Sequence, residues 1–216
     1  MRFDKLSTRY TGELAQAYDA ARMGGPEWPR EQAIVERYLA TLPAGATLVD
    51  IPVGTGRFLE FYKTFDLKPT GLDISADMLA AAKAKAAALG LDLTLAQADI
   101  RKIDAPDKSF EAGVCVRFVN WVDFAGMEAA LAELSRVVRT TLIVSVRAWP
   151  TPRTFTAALG QRWTSFRRRR ADLVFHNQEA TEALFARLGF IIADREVVRV
   201  RHDQTRYLLY LLRRTA

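Results

Sequence analysis

Cysteine occurs once, at Cys115, and histidine twice, at His176 and His202, in a chain of 216 residues. One cysteine excludes an intrachain disulfide and a cysteine-built zinc site, and two histidines far apart offer little to any other metal, so no metal site is expected. No run approaches the ~18 to 20 apolar residues of a membrane span, and the opening MRFDKLSTRY lacks the apolar stretch of a signal peptide. A reducing, cytoplasmic setting is expected. Low-complexity tracts and internal repeats are also missing. Half of the residues are hydrophobic and 26% are charged, which excludes a disordered chain and leads us to expect one buried core. The length suits a single domain with a modest extension.

Acidic residues are outnumbered, leaving a formal net charge of +6, but the excess is local. Residues 150–176 hold six Arg against Asp172, and residues 195–214 hold six Arg against Glu196 and Asp203. The remainder is net negative. Such a field suits an anionic small molecule, an acidic lipid surface or RNA; equally, it is a solvated basic face without a partner.

Apolar residues Val35, Tyr38, Leu39 and Leu42 share a helical face that should end before Pro43-Ala44-Gly45. TLVDIP at 47–52 reads as a short strand entering the glycine turn Val53-Gly54-Thr55-Gly56, followed by a helix-like RFLEFYKTF. A second strand, TGLDI at 70–74, leads through Ser75, a good N-cap, into an Ala-rich helix that Gly90 can end. The alternation continues with strands near 91–97 and 110–116, a helix stepping through Met127, Leu131, Leu134 and Val138, and the strand TTLIVSVR. Short apolar strands joined by helices imply parallel pairing with both sheet faces covered. The ending differs: after the helix ATEALFARLGF, two strands are separated only by a turn near His202-Asp203-Gln204, which requires a hairpin. The expectation is an α/β fold, a doubly wound, mostly parallel, seven-stranded Rossmann-like sheet with an antiparallel last strand. Its parts would be an N-terminal helical extension (1–42), a core (43–147), a basic and aromatic insertion (150–178) and a terminal helix with hairpin (179–216).

In an open α/β sheet, ligands bind beyond the carboxyl ends of the strands, where glycines let backbone come close. Gly54 and Gly56 lie there after strand one. Asp73 ends strand two at a spacing suited to the hydroxyls of an adenosine ribose, and Asp99 with Ile100 follows strand three, able to offer an adenine one polar anchor and an apolar wall. Together these point to a nucleoside ligand. A dinucleotide fingerprint needs a third glycine where this chain has Leu59, and no phosphate-loop pattern G-x-x-x-x-G-K-[ST] occurs.

VDIPVGTGRFLE, GLDISADMLAAAKAK and AQADI, in that order, resemble motifs I, II and III of the class I S-adenosylmethionine-dependent methyltransferases. The resemblance runs over about residues 45–147. It implies S-adenosylmethionine as cofactor, with Asp50 supporting the loop around its amino-acid part, Gly54 and Gly56 packing against it, Asp73 on the ribose and Asp99 with Ile100 at the adenine. Pro52, Ile74, Met78, Val116 and Arg117 would complete that surface, and Tyr18 of the Tyr18-Asp19 pair would fold over it. Pro52 departs from the glycine common at its position; it fixes φ and removes an N–H donor.

Methyl transfer from a sulfonium is an in-line displacement that depends on positioning. Arg117 is a candidate to pair with an acceptor anion, Asn120 to hydrogen-bond an acceptor, and His176 to act as its base; packing roles compete in each case, His176 standing beside Asn177, a helix cap. Cys115 reads as a small buried hydrophobe. Phe155, Leu159, Trp163 and Phe166 share a helical face next to Arg162 and Arg167 to Arg170, which suits a lid, a helix on an anionic membrane through 153–170, or a helix packed on the core. The function expected is methyl transfer to a small-molecule or lipid-like acceptor, an anionic one being among those the basic residues suit. The alternatives are an RNA methyltransferase, without any recognisable RNA-binding module, and a non-catalytic cofactor-binding scaffold.

Overall fold

The computed structural model describes residues 25–149, 173–202 and 204–215. Tyr18 and the basic, aromatic run at 153–170 lie outside the described residues. Helix α1 (Glu27–Leu39) buries Ile34, Val35, Tyr38 and Leu39, the stripe read from the sequence, and ends ahead of Pro43. Strand β1 (Thr47–Asp50) enters the glycine turn, which leads into the short helix α2 (Leu59–Thr64). Strand β2 (Lys68–Asp73) begins earlier than TGLDI suggests, because Pro69 is tolerated near a strand's start. Helix α3 (Ala76–Leu89) is capped as its sequence requires: Ser75 Oγ accepts from the Met78 N–H, and Gly90 closes the helix at φ +60°.

Strands β3 (Thr94–Gln97) and β4 (Phe110–Cys115), helix α4 (Phe124–Val137) and strand β5 (Val138–Trp149) complete the alternating part. After the undescribed segment come the two-residue β6 (His176–Asn177), helix α5 (Gln178–Arg187) and the hairpin β7 (Phe190–Val200) and β8 (Arg206–Arg214). The seven longer strands stand in the order β3-β2-β1-β4-β5-β8-β7, with β6 pairing separately on β5. Pairings through β1 to β5 are parallel, and β8 is antiparallel to both β5 and β7. The hairpin follows from its short connection, and among the described residues β6 is the one strand the sequence did not announce.

Both sheet faces are covered, as parallel strands require. Val49, Ile51, Cys115 and Val144 pack with α4 and α5, whereas Leu48, Ile143, Leu209 and Tyr207 pack with α1 and α2. Cys115 is free and buried, and burial pushes its thiol well above the ordinary range, as a small hydrophobe. Strand order reverses direction of travel between β1 and β4, and ligands bind at such a crest. In register, Asp50 at the end of β1 lies opposite Gly71 and Val114, so β2 runs on to Asp73 and β4 to Cys115 beyond it. Among the described residues, no helix is long and apolar enough to cross a membrane, and no three potential ligands gather to hold a metal.

Candidate functional site

The turn after β1 is tied to both neighbouring strands. Ile51 N–H donates to the Val114 carbonyl at 3.0 Å and Val53 N–H to the Leu72 carbonyl at 2.9 Å. The Ile51–Pro52 peptide bond is cis. Gly54 and Gly56 have φ of +58° and +77°, a region that penalises any β-carbon. They serve different ends. A β-carbon on Gly54 would meet nothing within 4 Å, so this part of the turn presents bare backbone; one on Gly56 would strike Leu59 Cδ1 at 2.5 Å. Leu59 therefore fills the helix–turn contact where a dinucleotide fingerprint has its third glycine.

Asp73 is locked at the end of β2. Its Oδ2 accepts from Gly54 N–H at 3.0 Å and its Oδ1 from Ser75 N–H at 2.9 Å. Burial raises its pKa, against the pull of these backbone donors. Asp50 is deeper. Tyr62 donates to its Oδ2 at 2.8 Å, yet burial pushes the carboxyl up to about 7, the Asp73 charge adding to the rise. At the end of β3, Asp99 is gripped by Arg101, whose Nε lies 3.0 and 3.1 Å from its two oxygens; this bond lowers its pKa.

These groups line one cavity. It brings together Asp50, Pro52, Gly54, Asp73, Ile74, Met78, Asp99, Ile100, Val116 and Arg117, all singled out in the sequence. Gly56 stands behind the wall, where it lets the turn pack. Of the three residues weighed for the acceptor, Arg117 reaches the cavity, whereas Asn120 and His176 are not among its lining residues. Asn120 is buried, its Oδ1 accepting from Arg147 N–H at 2.7 Å. His176 is buried too, with Nε2 2.9 Å from the Val119 carbonyl, and burial lowers its pKa. Its neighbour Asn177 caps α5, accepting from Ala180 N–H at 2.9 Å.

Sequence reasoning missed the contribution of α1. Trp28 and Arg57 also line the cavity, and the Arg57 guanidinium lies 3.7 Å above the Trp28 ring. Buried Glu31 anchors them: Arg57, Arg117 and the Tyr207 hydroxyl all converge on its carboxylate. Burial opposes ionisation of Glu31, but Arg117 and Arg57 prevail and its pKa is lowered. No local spacing signals this cluster, whose members come from α1, the glycine turn, the end of β4 and β8.

The likenesses to known proteins agree with this site. Residues 48–141 match a family model described as a methyltransferase domain. Over 155 residues the chain is 32% identical to dTDP-3-amino-3,6-dideoxy-alpha-D-glucopyranose N,N-dimethyltransferase of Streptomyces fradiae, covering 68% of this chain and 57% of that one. Over 97 residues it is 35% identical to phosphatidylethanolamine N-methyltransferase of Cereibacter sphaeroides, covering 44% of this chain and 46% of that one. The chain thus spans about half the length of the curated relatives it matches. In fold it is similar to magnesium protoporphyrin IX methyltransferase of Synechocystis PCC 6803, solved with bound SAH, at a TM-score of 0.75 and 15% identity over 98% of this chain and 99% of that one. With the glycine turn, the strand-end carboxylates and the strand order in place, these likenesses support a class I S-adenosylmethionine-dependent methyltransferase.

Proposed function

We propose that the chain transfers a methyl group from S-adenosylmethionine to a small-molecule or lipid-like acceptor. One observation carries the reading: the Asp73 carboxylate, clasped by the N–H groups of Gly54 and Ser75, stands in the wall of a cavity at the sheet's crest. That carboxylate is suited to accept hydrogen bonds from ribose hydroxyls. Ile74, Met78, Ala98 and Ile100 supply an apolar slot for a purine, and Asp99 a polar anchor at its edge. Bare backbone at Gly54 leaves room for the amino-acid part, with Asp50 beneath the turn. The residues therefore fit the cofactor.

When bound, the cofactor supplies an electrophilic methyl group on a sulfonium. The protein's part is to hold the acceptor in line and to keep water out. Trp28, Phe118 and Trp121 form apolar wall, and Arg117 supplies charge for orienting an acceptor. The relatives' names, an amino-sugar nucleotide methyltransferase and a phosphatidylethanolamine methyltransferase, support a small or lipid-like acceptor. Calorimetry with S-adenosylhomocysteine, followed by transfer of labelled methyl from the cofactor into a metabolite extract fractionated by solubility, tests the proposal. Saturable binding and a labelled small product are expected. Binding without transfer would make the chain a scaffold, and label entering RNA instead would replace the acceptor class.

A further inference from the structure

The strand end that carries Asp99 is held from two sides. Toward β2, Ala98 N–H donates to the Asp73 carbonyl at 3.0 Å and Gln97 Nε2 to the Ile74 carbonyl at 2.8 Å, so the end of β3 keeps its place relative to the Asp73 carboxylate. Beyond Asp99 the chain doubles back: Lys102 N–H donates to the Asp99 carbonyl at 2.9 Å, and the two residues form an isolated antiparallel bridge. This turn parts consecutive side chains. Asp99 and buried Ile100 line the cavity, whereas Arg101 is not among the lining residues and its side chain is 42% exposed. From there Arg101 grips Asp99 with backbone and side chain together. Its N–H donates to Oδ1 at 2.9 Å, its Nε lies 3.0 and 3.1 Å from Oδ1 and Oδ2, and its Nη2 pairs with Oδ2.

Ion pairs between groups as exposed as these contribute little to folding. The grip does something else: it fixes a carboxylate that would otherwise swing about its side-chain bonds. A carboxylate offers about four lone-pair sites, and Arg101, standing outside the cavity, takes its share of them from behind. The side-chain bond from Arg101 is also the first cause of a lowered Asp99 pKa, ahead of the burial that opposes it, so the group stays an acceptor and not a donor. We infer that Arg101 is a positioning residue, holding Asp99 as a fixed acceptor at the cavity's edge and so selecting a purine that presents an amino group there over one that presents a carbonyl oxygen. The inference rests on the reading of this cavity as the cofactor site. Arg101 acts through Asp99 alone in this assignment, whatever else its guanidinium touches.

The probes are S-adenosylhomocysteine and S-inosylhomocysteine, which present an amino group and a carbonyl oxygen respectively at the same purine carbon, titrated by calorimetry into the full chain at neutral pH. The wild type is expected to prefer the amino form at least about tenfold, as one hydrogen bond to a charged group would give. In Arg101→Met the ratio should fall at least about threefold, because a swinging carboxylate must be ordered on binding. Arg101→Lys keeps the charge, loses the fork and should lower the ratio as well; it carries the test where the methionine variant does not fold. In an Asp99→Ala background, Arg101→Met should leave the ratio unchanged, since the two residues act as one unit. In the ligand-free protein, the Asp99 carboxyl carbon followed by NMR should titrate at a higher pH in Arg101→Met than in the wild type. A wild-type ratio near one, an unchanged ratio in a folded single variant, an equal fall in the Asp99→Ala background or an unmoved Asp99 titration overturns the inference. If S-adenosylhomocysteine does not bind the wild type at all, the methyltransferase reading falls and takes the inference with it; binding with an unmoved ratio removes the inference alone.

Discussion

Replacing Asp73 by alanine removes a carboxylate that two backbone donors hold at the cavity wall. Hydrogen bonds to a charged group contribute about 1.5–3 kcal/mol each, so Asp73→Ala should weaken S-adenosylhomocysteine binding about ten- to hundredfold by calorimetry. Asp50 invites a different test. Burial first, and the Asp73 charge after it, hold its carboxyl up to about 7 against the Tyr62 hydrogen bond. The folded state thus binds a proton more tightly than the unfolded chain. Its contribution to stability is full below about pH 4 and is lost as pH rises through about 7. Asp50→Asn keeps an acceptor for Tyr62 and removes the ionisation. Its Tm should exceed the wild-type value at pH 8, by a stability difference on the order of a few kcal/mol, and approach it at pH 4. A wild-type Tm advantage that persists at pH 8 would mean the charge is compensated. The sequence showed both acids but not their depth: nothing about an Asp at a strand end says whether it meets water, backbone or another acid. Asn120 illustrates the same gap, since a polar residue after β4 reads as site-facing, whereas here it accepts from Arg147 N–H.

Elements were legible where their signals are local. Ser75 and Gly90 fix α3 through contacts within one turn of themselves, and the stripe on α1 is set by helical periodicity. What α1 does for the site was not legible. Glu31 lies 26 residues from Arg57, 86 from Arg117 and 176 from Tyr207, so the cluster exists only once the sheet has assembled. Through it α1 is fastened to the glycine turn and the end of β4. Glu31→Ala leaves two buried guanidiniums without their carboxylate, a loss of about 3–5 kcal/mol in a urea titration. Because the pKa of Glu31 is lowered in the fold, its contribution is present above the ordinary carboxylate range and fades as pH falls below it. The destabilisation by Glu31→Ala should therefore be large at pH 7 and shrink toward pH 3. A pH-independent loss would trace it to packing alone.

Across the whole molecule, counting charges overstated the free positive field of the terminal hairpin. Of the arginines between 195 and 214, Arg195 pairs with Glu182, Arg199 with Glu27, Arg213 donates to Thr41, and Arg214 binds the carbonyls of Ser135, Val138 and Arg139. These bonds lace the terminal hairpin to α1, α4, α5 and β5, a use of charge that composition cannot distinguish from a solvated face. The cavity is likewise assembled from distant parts, with lining residues from Trp28 to Trp121 and a clamp that extends to Tyr207. Binding there should stabilise the fold as a unit. S-adenosylhomocysteine at a hundredfold its Kd contributes about 2.7 kcal/mol, or about 5–11 °C in Tm for a chain of this size. Asp73→Ala at the same concentration, now only about one- to tenfold its own Kd, should keep about 0.4–1.4 kcal/mol of this, a rise of about 1–6 °C. Hydrogen exchange then separates a site that includes α1 from one that does not. If Trp28 closes over the ligand, amides of Glu27–Leu39 gain protection together with those of the glycine turn; a rise in Tm with protection confined to the turn would show that α1 is only packed on the sheet.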